Sequence, residues 1–521
     1  MTRPTTTGKA QDLITFTRST TGTALAKISY GEELVTNGDF ASDSDWAKQV
    51  SANWTISGGK LNGANSTGWI KQNGIVENGK AYKITVDAIV SGGSFRMVTT
   101  ADGSTYTSYI TSSGSYVFYI RPLNALSGGF EFIGNGFTGS IDNISVKEVL
   151  YDRPDGTLQL FNHPINKPRI EYDAEGNCLG LLVEEGRTNL VTQSEFASGY
   201  GNHYLPLTRN QTASPDTNIN AASAVPTAVN SEHYLEYVLS SPSSGTYTQS
   251  VFVKANGYSK VALTPVHVGA DQGATSTAQF DLTEGTSTQS GSAVPYISNL
   301  GNGWYRIAIT YTATGTVTNH RFRVQVLSDS YGYVWQANGA DGIYVYGAQL
   351  ETGSFPTSYI PTSGSAVTRS ADVASLAVSE FGYNQDQGSV VVKCSGGEVN
   401  GAAAAFNDGS AFNSIMTFWV VAASALRLRV YTGNAQYVSI QLPFTEGEIE
   451  FAAGLKENNF AASSNGALGT DTDGLMPLTA TTTLNIGAEI AGASRIYNGH
   501  IKSVQYYPLR LSNAQLQALT S

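Results

Sequence analysis

The stretch "RFRVQVLS" (residues 321–328) shows the pattern that decides the fold. Phe322, Val324 and Val326 alternate with arginine and glutamine, which places apolar side chains on one face of an extended chain and polar side chains on the other. The same period of two recurs in "AYKITVDAIV" (81–90), "GSYVFYIRP" (114–122), "YTQSVFVKA" (247–255), "WYRIAITYTA" (304–313), "ALRLRVYTG" (425–433) and "QYVSIQLP" (436–443). Gly-, Asn- and Asp-rich turn sequences lie between these runs. Many short, half-buried strands predict an all-β protein of tandem β-sandwich or jelly-roll domains.

The composition supports this fold class and excludes several functions. The chain has 521 residues, enough for about three to four domains, and only 14% of them are charged, against about 25% in an ordinary soluble domain. The 55 glycines and 28 tyrosines suit strands joined by tight turns. A net charge of −11 without a basic cluster argues against nucleic-acid binding. We find no signal-peptide core and no apolar run of membrane-spanning length, so we expect a protein made in a cytoplasm without membrane insertion.

An internal duplication indicates how the domains are arranged. The segments "ELVTNGDFASDSDW" (33–46) and "NLVTQSEFASGYGN" (189–202) begin alike, and "GSIDNISVKEV" (139–149) and "DGIYVYGAQLETG" (341–353) end alike. We therefore predict two copies of one sandwich, followed by a third module. That module ends in a short helix for which Ser512 is the expected N-cap.

Three segments carry a resemblance to a known family. They are "ITFTRSTTGTALAKI" (14–28), "NKPRIEYDAEGNCLGLLVEEGRTNLV" (166–191) and "NGHIKSVQYYPLRLSNAQLQAL" (498–519). The chain resembles the modular tail-fibre and appendage proteins of tailed bacteriophages. The resemblance implies carbohydrate-binding-module-like jelly rolls and a C-terminal concanavalin A/laminin G-like sandwich. It also implies a virion protein assembled in the host cytoplasm.

These observations together predict six segments. They are an N-terminal virion-attachment segment (1–32), an inserted jelly roll (33–150), a connector that completes the N-terminal module (151–188), a second jelly roll (189–360), a linker (361–387) and the lectin-like sandwich (388–521). Because the first jelly roll separates two parts of one family motif, we expect residues 14–32 and 151–188 to meet in space. Insertion is tolerated where the two ends of the inserted domain lie close together.

The segment "LGLLVEEGRTNLV" (179–191) holds the one group of charges that could be read as catalytic. Two adjacent glutamates, Glu184 and Glu185, precede Arg187. Adjacent side chains of an extended chain point to opposite faces, so the two carboxylates are not expected to flank one bond as in a glycosidase. We interpret Arg169, Glu184, Glu185 and Arg187 as a structural joint. The histidines are scattered, no nucleophile motif accompanies them, and we expect no catalytic residue and no enzymatic activity.

Sugar binding is the better chemical hypothesis, because exposed aromatic rings stack on sugars while amide and carboxylate groups bind the hydroxyls. The candidate ligand contacts are Trp46, Trp54, Trp69, Tyr331, Tyr333 and Trp335, with core packing as the alternative for the tryptophans. Asp471 and Asp473 in "GTDTDG" are candidate calcium ligands, although a solvated turn is the favoured interpretation. No other cofactor is expected, and the lone cysteines Cys178 and Cys394 have neither disulfide-framework nor zinc-site spacing.

The sequence thus predicts a non-enzymatic tail fibre or receptor-binding appendage, a homotrimer that contacts other virion proteins through its N-terminus and host surface glycans through its sandwiches. Two alternatives stay open. One is a head fibre, capsid decoration or baseplate protein built from the same modules. The other is a tailspike-like polysaccharide depolymerase, against which the absence of β-helix repeats argues.

Overall fold

The computed structural model describes residues 14–49, 52–99, 107–122, 129–240, 243–269, 276–314, 317–396, 401–410, 416–421, 425–433, 435–443, 447–477, 480–490 and 495–521. The described chain is almost entirely β-structure, which confirms the predicted fold class. One short α-helix, α1 (Asn513–Ala518), lies near the C-terminus, and Ser512 caps it in a capping box with Gln515, as predicted. No helix in these ranges is long and apolar enough to span a membrane.

The strands are numbered in chain order. They are β1 (Thr15–Thr17), β2 (Gly22–Glu33), β3 (Ala47–Lys48), β4 (Trp54–Ile56), β5 (Leu61–Ser66), β6 (Trp69–Gln72), β7 (Tyr82–Val98), β8 (Gly114–Ile120), β9 (Phe130–Tyr151), β10 (Thr157–His163), β11 (Ile170–Tyr172), β12 (Cys178–Val183), β13 (Arg187–Asn189), β14 (Tyr200–His203), β15 (Leu207–Ala213), β16 (Ile219–Ala224), β17 (Asn230–Ser231), β18 (His233–Ser240), β19 (Gly245–Asn256), β20 (Lys260–Gly269), β21 (Thr277–Asp281), β22 (Thr286–Ser290), β23 (Val294–Gly301), β24 (Trp304–Ala313), β25 (Val317–Val326), β26 (Trp335–Gln336), β27 (Gly342–Thr352), β28 (Val367–Arg369), β29 (Val373–Ala377), β30 (Gln387–Gly396), β31 (Ala402–Asn407), β32 (Met416–Val421), β33 (Ala425–Thr432), β34 (Ala435–Pro443), β35 (Glu448–Lys456), β36 (Phe460–Ser464), β37 (Ala467–Asp471), β38 (Thr483–Ile486) and β39 (Gly499–Tyr507).

One compact unit comprises residues Lys27–Thr157, and we call it the first sandwich. The long strand β9 organises it, because one edge of β9 pairs with β7 over most of its length while the other edge pairs in turn with β6, β5 and β2. Alternate residues of β7 and β9 point into an aromatic core, which contains Trp46, Trp54, Phe95, Phe132 and Phe137. The opposite face of the same strands carries polar side chains. It is this outward face that offers a candidate site.

The two ends of this unit are adjacent. Ile28 pairs with Tyr151 and Ser29 with Leu150 across β2 and β9, and the amide of Asp152 donates to the carbonyl of Lys27 over 3.0 Å. The segments on either side of the insertion also meet, since the Arg18 amide donates to Asn166 Oδ1 over 2.9 Å. The expected proximity of these segments is therefore observed.

The other compact unit comprises residues 1–26 and 158–521, and it holds two sandwiches. In the middle sandwich, the sheet β14-β18-β25-β20-β21-β22 packs on the sheet β15-β16-β27-β19-β24-β23. Phe322, Val324 and Val326 of "RFRVQVLS" are all buried in the core between the sheets, as their alternation predicts.

The last sandwich also has two sheets, with strand orders β1-β29-β38-β31-β32-β33-β34 and β11-β12-β39-β30-β35-β36-β37. Four of its strands come from outside the predicted module of residues 388–521. Phe16 of β1 pairs with Ala374 of β29, and Leu181 of β12 pairs with Ile501 of β39. Phe16, Leu181 and Val183 lie in its hydrophobic core. Parts of the N-terminal segment (β1), of the connector (β11 and β12) and of the linker (β29) thus belong to this sandwich, a difference from the sequence boundaries. Strands as short as β1 and β12, whose partners β29 and β39 lie hundreds of residues away, leave no local signal of pairing.

Candidate functional site

Five buried charged side chains occupy the place where the two sandwiches of the larger unit are joined. Arg18, Arg169 and Arg369 surround the carboxylates of Glu184 and Asp372, and none of these side chains is more than 8% exposed. Arg18 Nη1 lies 3.0 Å from Asp372 Oδ1, and Arg169 Nη1 lies 2.9 Å from Glu184 Oε2. The second nitrogen of Arg169 contacts the other oxygen of Asp372. We call these five residues the buried charge network.

Neutral donors complete the network. The hydroxyl and the amide of Ser358 each donate to the carboxylate of Glu184 over 2.7 Å, and the amide of Glu184 donates to Asp372 Oδ2 over 3.0 Å. Burial opposes ionisation of Glu184, but the guanidinium groups of Arg369 and Arg169 overcome it and lower the pKa of Glu184 to about 2. Burial and the charge of Arg169 lower the pKa of Arg18 to about 10. The oxygens of both carboxylates are already engaged by partners within the protein, an arrangement suited to structure and not to substrate binding.

The other two residues assigned to the joint form a separate contact at its edge. Arg187 Nη2 lies 2.5 Å from Glu185 Oε1, and the Arg187 guanidinium lies 4.8 Å above the ring of Phe355. Gly353 has a φ of 129°, and a side chain there would collide with this guanidinium. Glu185 is 37% exposed, whereas Glu184 is buried, so the two adjacent glutamates do face different surroundings.

The aromatic residues proposed as sugar contacts are for the most part packed inside the protein. Trp46 and Trp54 are 6% and 5% exposed, and their indole N–H groups donate to the carbonyls of Asn37 and Gly68. Trp54 stacks on Phe137 with ring centroids 5.5 Å apart. A sugar cannot reach these rings, and the prediction for both is wrong because the first sandwich needs large side chains to fill its core.

The remaining aromatic candidates are partly exposed, and three of them, Trp69, Tyr331 and Trp335, already contact other side chains or backbone groups. Trp335 packs against Tyr258 with ring centroids 4.8 Å apart and donates to the carbonyl of Val326. Tyr331 donates to Asp281 Oδ2 over 3.1 Å. Trp69 has the ammonium group of Lys71 4.5 Å from its ring, and Tyr333 is half-buried.

The two aspartates proposed for calcium belong to a turn. The amide of Asp473 donates to Asp471 Oδ1 over 3.3 Å, and Asp473 is exposed. Over the residues that the structure describes, no three His, Cys, Asp or Glu side chains are grouped so as to hold a metal ion. The geometry fits the solvated turn and does not assemble a calcium site.

A polar groove that the sequence did not reveal lies on the outward face of the first sandwich. It has a volume of about 280 Å³. Its lining residues are Lys60, Asp87, Ala88, Ile89, Gly114, Ser115, Ser140, Asp142 and Asn143. Asp87 of β7 stands between Ser115 of β8 and Asp142 of β9, directly opposite both in register. The small residues Gly114, Ser115 and Ser140 leave the space above this row open.

A β-bulge shapes the groove. Between the pairs Thr85–Ser145 and Asp87–Asp142, strand β9 has one residue more than β7. Asn143 lies in the bulge and has a φ of 52°, a backbone conformation that asparagine tolerates better than most residues. Its side-chain amide then donates to Asp87 Oδ2 over 2.8 Å.

The groove presents a fixed, ionised carboxylate. Hydrogen bonds from Ser115 and Asn143 hold the pKa of Asp87 below its usual range. Ile89 is 55% exposed beside it and supplies an apolar surface. Carboxylate, amide, hydroxyl and ammonium groups around a small apolar patch can bind the hydroxyls and the C–H face of a saccharide. The only sequence signal was a carboxylate at an outward position of the run "ITVDAIV".

Comparisons with known proteins found weak structural likenesses. No protein-family profile and no curated protein sequence matches the chain. It is similar to the N-terminal CBM22-1–CBM22-2 tandem domain of Paenibacillus barcinonensis Xyn10C, at 9% identity and a TM-score of 0.24, covering 63% of this chain and 99% of that one. It is also similar to Trypanosoma rangeli sialidase, solved in complex with sialic acid, at 9% identity and a TM-score of 0.23, covering 91% of this chain and 85% of that one. Likenesses this weak carry no argument about function.

The two neighbouring glutamates provide a matched test of the buried charge network. Glu184→Gln should lower the free energy of unfolding by about 3–5 kcal/mol, because it leaves buried arginines without their counter-charge. Glu185→Gln, the same change one residue away on a partly exposed side chain, should cost less than about 1 kcal/mol. Urea denaturation at neutral pH measures both. Equal effects would show that the network does not hold the joint.

Glu184 also makes the stability of the protein depend on pH. Because the pKa of Glu184 falls from 4.5 to about 2 on folding, its stabilising contribution is complete above pH 4.5 and is lost as the pH falls towards 2. The difference in stability between Glu184→Gln and the parent chain should therefore shrink across this range. A difference that stayed constant would contradict the assignment.

Proposed function

We propose that this chain is an adhesive appendage of a tailed-bacteriophage virion, a tail fibre or receptor-binding protein that attaches to host surface glycans without cleaving them. The proposal of glycan binding rests on the groove around Asp87. There, Ser115 and Asn143 orient the carboxylate of Asp87 next to the exposed side chain of Ile89. The proposal that the protein belongs to a virion is supported by its sequence resemblance to bacteriophage tail-fibre and appendage proteins.

The groove favours weak, reversible binding at each site. It is shallow, it has no aromatic ring in its lining, and water bound there must be replaced hydrogen bond for hydrogen bond. Adhesion of a particle can still be strong when several copies engage one surface, because later contacts form at a high effective concentration. A glycan-binding appendage of this kind therefore needs several copies.

Binding is tested on an array of neutral bacterial surface polysaccharides with the full-length protein. Asp87→Asn should weaken binding about tenfold or more, since a charge-assisted hydrogen bond contributes about 1.5–3 kcal/mol. Asp43→Asn removes the same charge from an exposed loop of the same sandwich and should leave binding unchanged. If no polysaccharide is bound, or if both variants bind equally, the groove is not the glycan site.

A second test addresses catalysis. A glycosidase needs a carboxylic acid with a raised pKa as proton donor, whereas the pKa of Asp87 is shifted down. Purified protein incubated with the polysaccharides that it binds should release no reducing ends. Release that disappeared in Asp87→Asn or Glu184→Gln would identify a depolymerase instead.

The third test addresses assembly. Closed rotational symmetry is the usual way to present identical copies, and we expect a homotrimer. Light scattering measures the mass in solution. A monomer that bound to capsids and not to cells would favour a decoration protein.

A further inference from the structure

Two lysines face each other on the outward face of the first sandwich. Lys83 of β7 pairs in register with Lys147 of β9, and residues that are opposite one another in two antiparallel strands lie on the same face of the sheet. Their chain neighbours Tyr82, Ile84 and Val146 are buried, so both lysine side chains leave the sheet on the side away from the core. We call Lys83 and Lys147 the lysine pair.

Tyrosines from the two flanking strands lie beside the lysine pair. The ammonium group of Lys83 lies 4.7 Å from the ring centroid of Tyr30 in β2. Tyr119 of β8 is opposite Lys83 in register, and its hydroxyl lies 3.0 Å from that of Tyr30. Burial and the charge of Lys147 lower the pKa of Lys83, as expected of two ammonium groups on opposed and partly buried residues.

The positive charge of the lysine pair is not balanced by an acid. Among the residues that the structure describes, none places a carboxylate within salt-bridge distance of either lysine. Glu33 of β2 is opposite Lys147 in register, but its oxygens are engaged elsewhere. Its Oε1 accepts from the amide of Val146 over 2.8 Å, and its Oε2 accepts from the hydroxyl of Ser145 over 2.5 Å.

This arrangement is unfavourable for the sheet alone. Like charges directly opposite one another destabilise a pair of strands, and a neutral side chain at either position would avoid the repulsion. The outward carboxylate of Asp87 lies four residues further along β7, about 13 Å away, which is beyond the distance of about 8–10 Å at which salt screens exposed charges. A ligand that brings negative charge to the lysine pair accounts for the arrangement.

We propose that the lysine pair binds the anionic group, carboxylate or phosphate, of an acidic saccharide whose neutral part lies in the Asp87 groove. Thr85, Ser145 and the exposed Val117 lie between the two places on the same face, so polar and apolar contacts continue from one to the other. Asp87 and Asp142 repel the anionic group, which therefore takes the lysine end. The inference rests on the proposed function, since it names the class of glycan that this face takes.

The experiment measures binding of the full-length protein to three immobilised probes at low and high salt. Polygalacturonate supplies carboxylates, a phosphomannan supplies phosphates, and dextran is neutral. The parent chain should bind one or both acidic probes more tightly than dextran, and the difference should disappear at high salt. Lys83→Gln/Lys147→Gln should weaken binding to the acidic probes about tenfold or more, the loss expected for charge-assisted hydrogen bonds.

A matched control removes two other lysines of the same sandwich. Lys48 and Lys71 are already paired with the carboxylates of Asp43 and Glu131, so Lys48→Gln/Lys71→Gln should leave binding unchanged. The proposal is overturned if the parent chain binds neither acidic probe more tightly than dextran, or if the two double variants lose binding equally.

Two further variants separate charge from folding. Lys83→Arg/Lys147→Arg keeps both charges and should retain binding, whereas a loss equal to that of the glutamine variant would show that charge is not the cause. Lys147→Gln removes the repulsion and leaves Lys83 on the ring of Tyr30, so it should weaken binding and melt no lower than the parent chain. A lower melting temperature would contradict the repulsion on which the proposal rests.

Failure of this inference and failure of the proposed function give different results. If neutral polysaccharides bind through Asp87 and the acidic probes bind no more tightly, the proposed function stands and the lysine pair is not an anion site. If the acidic probes bind through the lysine pair and Asp87→Asn has no effect, the lysine pair is an anion site and the groove is not the glycan site.

Discussion

The buried carboxylate of Asp372 holds together three distant segments of the larger unit. It accepts hydrogen bonds from Arg18 and Arg169, whose positions in the sequence lie 354 and 203 residues away, and from the amide of Glu184. A charge buried without partners costs several kcal/mol, so the arrangement is stable only when all of these segments are in place together. The network therefore ties the strands β1 and β12 to the last sandwich and specifies how that sandwich is completed from three parts of the chain.

The division of roles between the two faces of each sheet follows from the pleat. Inward positions carry the aromatic and aliphatic core, including Trp46 and Trp54, and this leaves the outward positions to determine what each sandwich can bind. On the first sandwich the outward row includes Asp87, whose carboxylate is held by hydrogen bonds from Ser115 and Asn143. Under our proposed function, this outward row is the surface that meets a host glycan.

A glycine and an asparagine shape the groove around Asp87. Asn143 adopts a positive φ inside β9 and so turns its amide towards Asp87, while Gly114 keeps the space beside Ser115 free. In a regular strand successive side chains point to opposite faces, so Asn143 would face the core when its neighbour Asp142 faces outward; the bulge lets both face the groove. Local departures from regular β-structure, and not additional domains, build the candidate site.

The sequence by itself determined the all-β class, the positions of most strands, the capped C-terminal helix and the separation of Glu184 from Glu185, because period-two alternation and capping chemistry are local. It did not determine which tryptophans are buried, since both faces of a strand accept an indole and only packing decides between them. It also missed the groove at Asp87 and the completion of the last sandwich by β1, β11, β12 and β29. Those features depend on strand register and on contacts between residues that lie tens to hundreds of positions apart, and only the tertiary structure brings such residues together.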